Sequence, residues 1–333
     1  MADISIKEIG ELIESKNDIL IVCHARPDED TIGSALGLKE TFREKNIKIV
    51  CDDILTSRNK RVYNLADNDL SVENIKDFDY KFVIFVDTAN IELAGEFGKS
   101  LEGKIDLKID HHPDGLPYAE YNHIDGSRAA CGELIFEIAK ETGRLNAKVG
   151  YYCYAAISSD SGGFKYSSVS PQTHRIAAEL LSIGVNGYYI NHLLFECISK
   201  REIVATSVCY QALRYFNNDR IGVIVFTNKM KEENCLTDDD LGAIASIPRR
   251  IEGISLSIVV KQKTDEENVF KISMRSGPEV SAAYLCSLFG GGGHACASGA
   301  IVNAKDENEA VIKILGTVLA HFSEAENITA ENK

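Results

Sequence analysis

Apolar residues along this chain follow two rhythms. In the first half, short continuous apolar runs alternate with segments of helical period. DILIVCH (18–24) reads as a buried strand, TIGSALGLKETFREKN (31–46) as a helix and IKIVCDD (47–53) as a second strand. KFVIFVD (81–87) is the clearest strand of all, and IDLKID (105–110) follows with stricter apolar–polar alternation. Strands separated by helix-length segments predict an α/β domain, a mostly parallel sheet flanked by helices. After residue 127 the pattern turns helical through CGELIFEIAKET, KVGYYCYAAISS, PQTHRIAAELLSIG and, more loosely, NHLLFECISKREIVATSVCYQALRYF. Strand signals return near Asn217 in DRIGVIVFT, ISLSIVVKQK and VFKISMRS, with TDDDLGAIAS predicted as an intervening helix. A glycine run, FGGGGH, precedes SGAIVN (298–303), and a long helix begins near Glu307, with ENITAENK at its end expected to fray. The predicted organisation is an N-terminal domain over 1–185, a helical connection over 186–216, and a smaller C-terminal α/β domain over 217–328.

Composition narrows the picture. At 333 residues the chain can bury two cores. Its apolar runs fall short of the roughly 18–20 residues of a membrane helix. MADISIKEIGELIESKND lacks the basic and apolar regions of a signal peptide, so a cytoplasmic protein with no membrane partner is expected. The nine cysteines are odd in number and contain no CxxC pair. Reduced, mostly buried thiols are expected, not a disulfide framework or zinc ribbon. A formal charge of −14 argues against a protein that tracks long nucleic acid, yet leaves room for one local anion site.

Candidate chemistry collects where the first strands end. ILIVC runs into His24, followed by Asp28, Glu29 and Asp30; FVIFV ends at Asp87; IDLKI ends at Asp110, His111 and His112. Ligands of open parallel sheets bind outside the carboxyl ends of the strands, so these groups should converge. Asp160, in AAISSDSGGF, is a further candidate. Taken singly, Asp30 reads as the N-cap of the 31–46 helix and Asp87 as a cap of the next segment. Taken together, clustered carboxylates repel unless cations neutralise them. Histidine plus carboxylate without thiolate points to a divalent metal such as Mn²⁺, not structural zinc. In the second domain, Gly290–Gly293 and His294 read as an anion-binding nest or as a surface turn. Arg275 and Ser276, ending VFKISMRS, can complete a phosphate clamp. SDSGG (159–163) resembles the nucleophile segment of chymotrypsin-like proteases, with His24, Asp87 and Ser161 in their chain order, but the parallel α/β pattern opposes that reading. TDDDL (237–241) reads as capping and solvated charge.

HARPDEDTIGSALGL, VDTAN, IDHHPDG and SSDSGGF resemble, in order, four motifs of the DHH phosphoesterase superfamily. MRSGPEV and LFGGGGHACASGA resemble its partner domain, DHHA1. The likeness spans essentially the whole chain and is nearest the bacterial nano-RNase and pAp-phosphatase group. It implies that His24 and Asp28 bind one Mn²⁺, that Asp30, His111 and Asp160 bind another, and that Asp87 bridges the two. Mg²⁺ or Co²⁺ could replace Mn²⁺. Asp110 would orient a histidine, and His112 would face the scissile phosphate. Arg275, Ser276, Gly291, Gly292, Gly293 and His294 would hold the other end of the nucleotide. The implied activity is hydrolysis of short RNA oligonucleotides to 5′-mononucleotides and of 3′-phosphoadenosine 5′-phosphate (pAp) to AMP, in a possible homodimer. The rivals are a pApA or cyclic-dinucleotide phosphodiesterase, a RecJ-like exonuclease, and an inactive nucleotide sensor. One departure is Glu29, where the family usually has a small residue. Its side chain is expected to face solvent, the alternative being added negative charge beside the metals.

Overall fold

A computed structural model describes residues 1–331 other than Gly242 and Asp265. The chain divides into two compact units, Met1–Cys197 and Ile198–Lys333. The first unit is built on strands β1 (Ala2–Asp3), β2 (Ile19–Val22), β3 (Ile47–Val50), β4 (Phe82–Val86), β5 (Leu107–Asp110) and β6 (Tyr121–Ile124). They form one sheet in the order β1-β6-β5-β4-β2-β3, and every pairing is parallel. Its helices are α1 (Ile6–Glu14), α2 (Glu29–Thr41), α3 (Ser57–Tyr63), α4 (Gly95–Lys99), α5 (Cys131–Glu141), α6 (Ala147–Asp160), α7 (Pro171–Ser182) and α8 (Gly187–Asn191).

The unbroken apolar runs follow from burial on both faces. In β2 and β4, Ile19, Ile21, Phe82, Ile84 and Val86 join the core that includes residues of α1, α2, α5 and α6. Leu20, Val22, Val83 and Phe85 face a smaller core with Ile75, Ala94 and Leu101. The weakly patterned β1 and β6 gave no strand signal in the sequence. β2 pairs with β3 on one side and β4 on the other, so the winding direction reverses there, the place where open α/β sheets bind ligands.

Helices α2 and α6 pack closely, and glycine makes this possible. A Cβ on Gly33 would lie 2.8 Å from the Tyr152 carbonyl and 3.0 Å from the Ala156 side chain; at the neighbouring α5–α6 contact, one on Gly132 would lie 2.6 Å from Ala156. Because α2 begins beside Asp28 and α6 ends at Asp160, this contact sets the spacing of two candidate site residues.

The second unit carries β7 (Arg214–Phe216), β8 (Ile221–Phe226), β9 (Leu256–Gln262), β10 (Val269–Ser276), β11 (Gly292–His294) and β12 (Ala297–Asn303), with helices α9 (Lys200–Ala212), α10 (Asn228–Glu233), α11 (Ala282–Ser287) and α12 (Glu307–Glu331). Its sheet runs β11-β12-β10-β9-β8-β7 and is antiparallel except for β8–β9. One expectation fails here. Within TDDDLGAIAS, Asp239–Leu241 and Ala243–Ser246 form 3₁₀ turns in place of an α-helix, with Gly242 between them outside the described residues. Leu241, Ile244 and Ile247, spaced by three, are all buried, which matches three residues per turn. α12 runs to Glu331, with Phe322 and Ala325 buried and Glu326 paired with Arg220; Asn332 and Lys333, the end of ENITAENK, lie outside the described residues.

Gly33→Ala should lower stability by about 1–3 kcal/mol despite alanine's better helix propensity, because the added methyl overpacks the α2–α6 contact. Urea denaturation measures this, and an unchanged or raised midpoint would contradict the packing argument.

Candidate metal centre

The carboxyl end of the first sheet gathers the histidines and aspartates. Asp28 caps α2: its Oδ1 accepts from the Asp30 and Thr31 amides, each at 3.0 Å. The cap is therefore Asp28, not Asp30, because the helix starts two residues earlier than its apolar pattern. Asp30 is buried in the first turn, and its carboxylate accepts from the Cys131 amide (2.7 Å) and the Gly132 amide (2.9 Å) at the start of α5. Asp87 does not cap a helix either. It follows β4 in the left-handed region at φ 52°, with its amide bonded to the Ile109 carbonyl at 2.9 Å.

Three overlapping groups result, in each of which the donor atoms lie within 4.8 Å of one another: His24, Asp28 and Asp87; Asp30, His111 and Asp160; Asp87, His111 and His112. His24 Nε2 is 3.7 Å from Asp28 and 3.9 Å from Asp87. His111 Nε2 lies 3.4 Å from Asp87, 3.6 Å from Asp30 and 3.6 Å from Asp160. The other nitrogen of His111 faces the Arg128 carbonyl at 3.2 Å, which turns Nε2 toward the carboxylates. Asp87 Oδ1 is buried without a hydrogen-bond partner. Its nearest imidazole nitrogen is His111 Nε2 at 3.4 Å, too long for a good hydrogen bond, and a buried carboxylate oxygen so placed among other acids and imidazoles is an environment a cation satisfies.

The electrostatics agree. Burial disfavours a charged His24, yet the hydrogen bond and charge of Asp28 and the charge of Asp87 prevail and raise it to about 9. Burial is likewise outweighed at His111, which Asp87, Asp30 and Asp160 raise to about 11. Burial raises the carboxyls of Asp30 and of Asp160, the latter to about 7. Without cations, protons take over the work of neutralising the cluster.

Asp110 lies behind His112. Its Oδ1 meets His112 Nδ1 at 2.7 Å and accepts from the His111 amide at 3.0 Å. Its Oδ2 pairs with Lys108 Nζ at 3.0 Å. Lys108 is a correction to the alternating reading of IDLKID, which placed it on a polar face. It is fully buried, with Nζ donating to the Ala89 and Leu116 carbonyls at 2.8 Å each and lying 4.5 Å from the Tyr118 ring centroid. A lysine flanked by Leu107 and Ile109 at the start of a DHH run was the signal available, but its partner carbonyls lie in loops the sequence does not align.

Glu29 is the second correction. It is buried, not solvated: its carboxylate accepts from Asn59 Nδ2 at 3.2 Å and Ser159 Oγ at 3.3 Å. Burial raises its pKa while the Arg58 charge opposes the rise. Glu29 thereby ties α2 to α3 and to the residue before Asp160. Ser161 is buried and its Oγ is spent on the Phe164 amide at 3.0 Å, a local turn role. TDDDL is occupied by ion pairs and turn bonds, with Asp238 on Lys231 and Asp240 on Arg201.

In the second unit, Arg275 and Ser276 are consecutive on β10 and so point to opposite faces. Ser276 is buried on the side of Phe270, Ile272 and Met274, its hydroxyl unpartnered, so its side chain does not share a face with Arg275. Arg275 lies on the face of Lys271 and Ser273 and donates to the Met274 carbonyl at 2.8 Å. The glycine run is not an open loop throughout. The Gly290 and Gly291 amides close α11 onto the Ser287 and Cys286 carbonyls, and Gly292, Gly293 and His294 form β11 against β12. The side chain of His294 lies outside the described residues.

Lys108→Met should destabilise the protein by about 3–5 kcal/mol, because it strands the Asp110 carboxylate in the interior. Chemical denaturation of the metal-free protein measures it; a loss below about 1 kcal/mol would mean that the pair contributes no more than a surface ion pair.

Residues 18–157 match the family model for the DHH family, N-terminal domain, and residues 207–321 match the DHHA1 domain. The "Probable bifunctional oligoribonuclease and PAP phosphatase NrnA" of Streptococcus mutans is 28% identical over 322 residues, covering 95% of this chain and 99% of that protein. The bifunctional oligoribonuclease and PAP phosphatase NrnA of Bacillus subtilis is 28% identical over 321 residues, covering 93% of this chain and 97% of that protein. Among solved structures, an exopolyphosphatase-related protein from Bacteroides fragilis shares the fold, with a TM-score of 0.86 at 21% identity over 98% of this chain and 97% of that one. With both domains in order and the histidine–aspartate cluster at the sheet's carboxyl edge, the chain belongs to the DHH/DHHA1 phosphoesterases.

Proposed function

We propose that this phosphoesterase cleaves short oligoribonucleotides to 5′-mononucleotides and converts pAp to AMP and phosphate, using two Mn²⁺ ions. The relatives named for both activities cover nearly the whole chain, and DHH phosphoesterases use divalent metals. The observation that carries the reading is Asp87, a buried carboxylate shared between two histidine–carboxylate groups, with His24 at 3.9 Å and His111 at 3.4 Å. His24 and Asp28 would hold one ion, Asp30, His111 and Asp160 the other, and Asp87 would touch both. When bound, such ions supply a nucleophilic water at neutral pH and neutralise charge on the phosphoryl oxygens.

The chain's own residues then position the ester and move a proton. Burial opposes a charged His112, but the hydrogen bond to Asp110 and the Asp87 charge raise its pKa, which favours the imidazolium. Asp110 holds the Nδ1 proton, so exchange with the substrate belongs to Nε2. As the oxygen of a water that has released one proton to solvent bonds to phosphorus, the bond from phosphorus to the 3′-oxygen breaks, and His112 gives that oxygen its proton. The same step releases a mononucleotide from RNA and phosphate from pAp, so one site serves both. Arg275 and the edge strand at Gly292–Gly293 would hold the far end of the nucleotide. The acidic chain gains little from phosphates beyond that grip, which favours substrates of a few nucleotides. A cytoplasmic homodimer completes the proposal; among the described residues, no helix is long and apolar enough to cross a membrane.

The test is kcat/KM with Mn²⁺ for pAp, 5′-phosphorylated RNAs of two to twenty nucleotides, single-stranded DNA, pApA and cyclic di-AMP. Efficiency should be highest for pAp and RNAs of about two to five nucleotides, with Asp87→Ala folded but inactive on each. Efficiency rising to twenty nucleotides, or a preference for cyclic di-AMP, would overturn the substrate reading; an active Asp87→Ala would overturn the site.

A further inference from the structure

Nine cysteines are free, and six of them, at 23, 51, 131, 153, 209 and 286, are buried. Burial raises the thiol pKa of each, which makes them poor nucleophiles. Of the remaining three, Cys235 is exposed, and the half-buried Cys296 rests its sulfur on the Gly277 carbonyl at 3.6 Å. The half-buried Cys197 has different surroundings.

Residues His192–Glu196 form a single π turn, closed by the Cys197 amide donating to the His192 carbonyl at 2.9 Å. That i→i+5 register brings Cys197 back over His192, where an α turn would carry it past. Cys197 Sγ lies 3.3 Å from His192 Nε2, and His192 Nδ1 lies 3.0 Å from Glu196 Oε2. Tyr188 stacks on the imidazole, with centroids 6.3 Å apart and planes 21° from parallel. The order is nucleophile, base and orienting carboxylate. The carboxylate holds the proton on Nδ1, leaving Nε2 to accept the thiol proton. With the side chains of His192 and Glu196 exposed at 41% and 66%, the group is open to solutes. Among the described residues, Cys197 is the cysteine whose thiol meets an imidazole.

We propose that Cys197 is a modification site, a thiol activated by His192 and Glu196 for oxidation by peroxides. His192 takes the thiol proton, the sulfur attacks one peroxide oxygen, and an S–O bond forms as the O–O bond breaks. The departing hydroxide takes the proton from His192 and leaves as water, so thiol and hydrogen peroxide become sulfenic acid and water. None of the three residues belongs to the phosphoesterase site. Cys197 is the last residue of the first unit, so the modification falls on the segment joining the two units.

Full-length protein treated at pH 7 with hydrogen peroxide and a dimedone trap, then analysed by peptide mass spectrometry, gives a rate for each cysteine. Cys197 should label at least about tenfold faster than Cys235, which serves as an internal exposed thiol. His192→Ala should bring Cys197 down to the Cys235 rate, and Glu196→Gln should slow it by a smaller factor, with Cys235 unchanged in both variants. Cys197 labelling no faster than Cys235, or undiminished by His192→Ala, would overturn the proposal.

Discussion

Mutual repulsion among clustered carboxylates, of which Asp30 and Asp87 are buried, is the constraint around which the first unit is organised. Asp28, Asp30, Asp87 and Asp160 reach one edge from a helix cap, a helix first turn, a strand end and a helix C-terminus. Each is held by backbone or imidazole groups that cannot drift. The α5 amides hold Asp30, the α2 amides hold Asp28, and the sheet holds the backbone of Asp87. Spacing between α2 and α6 then depends on glycines, since an alanine methyl at Gly33 would collide with Tyr152 and Ala156. The raised histidine pKa values, with Asp87 acting on both His24 and His111, express the same excess negative charge.

Behind this edge a second, fully internal pair works differently. Lys108 and Asp110 neutralise each other, so that Asp110 can be buried beside the cluster without adding to its charge. Burial opposes ionisation of Asp110, but the His112 hydrogen bond and Lys108 hold its carboxyl down at about 2. His112 is thereby fixed on an anchored carboxylate, while His111 is anchored on a backbone carbonyl. Both adjacent histidines are thus anchored through Nδ1, which directs Nε2 of each away from its anchor.

Much of this was legible in the sequence where local pattern decides the outcome. Continuous apolar runs ending in His24, Asp87 and Asp110 gave the buried parallel strands and the edge at which their polar ends gather. Partners distant in sequence were not legible. Glu29 is buried because Asn59 and Ser159 reach it; Asn59 lies in none of the motifs, and SSDSGGF, which contains Ser159, does not mark it as a partner of Glu29. Lys108 broke the alternation rule because the Ala89 and Leu116 carbonyls form a cage around it. In the second unit, period-two geometry separates Arg275 from Ser276, a consequence readable from their adjacency once the strand is accepted. The pairing of Gly292 and Gly293 with β12 as an edge strand was not legible in the glycine run, which carries no side chains to mark a strand.

The central claim is that the cluster at the sheet edge exists to hold divalent cations, with protons as their stand-ins. The direct measurement is calorimetric titration of metal-free protein with Mn²⁺ at pH 7 in two buffers of different ionisation enthalpy. His24, raised to about 9, and His111, raised to about 11, carry protons at that pH and must lose them when a cation binds. The account predicts binding of two ions with net proton release, and affinity that strengthens as pH rises from 6.5 toward 9. Binding without proton release, or no binding to the wild-type protein, would contradict it.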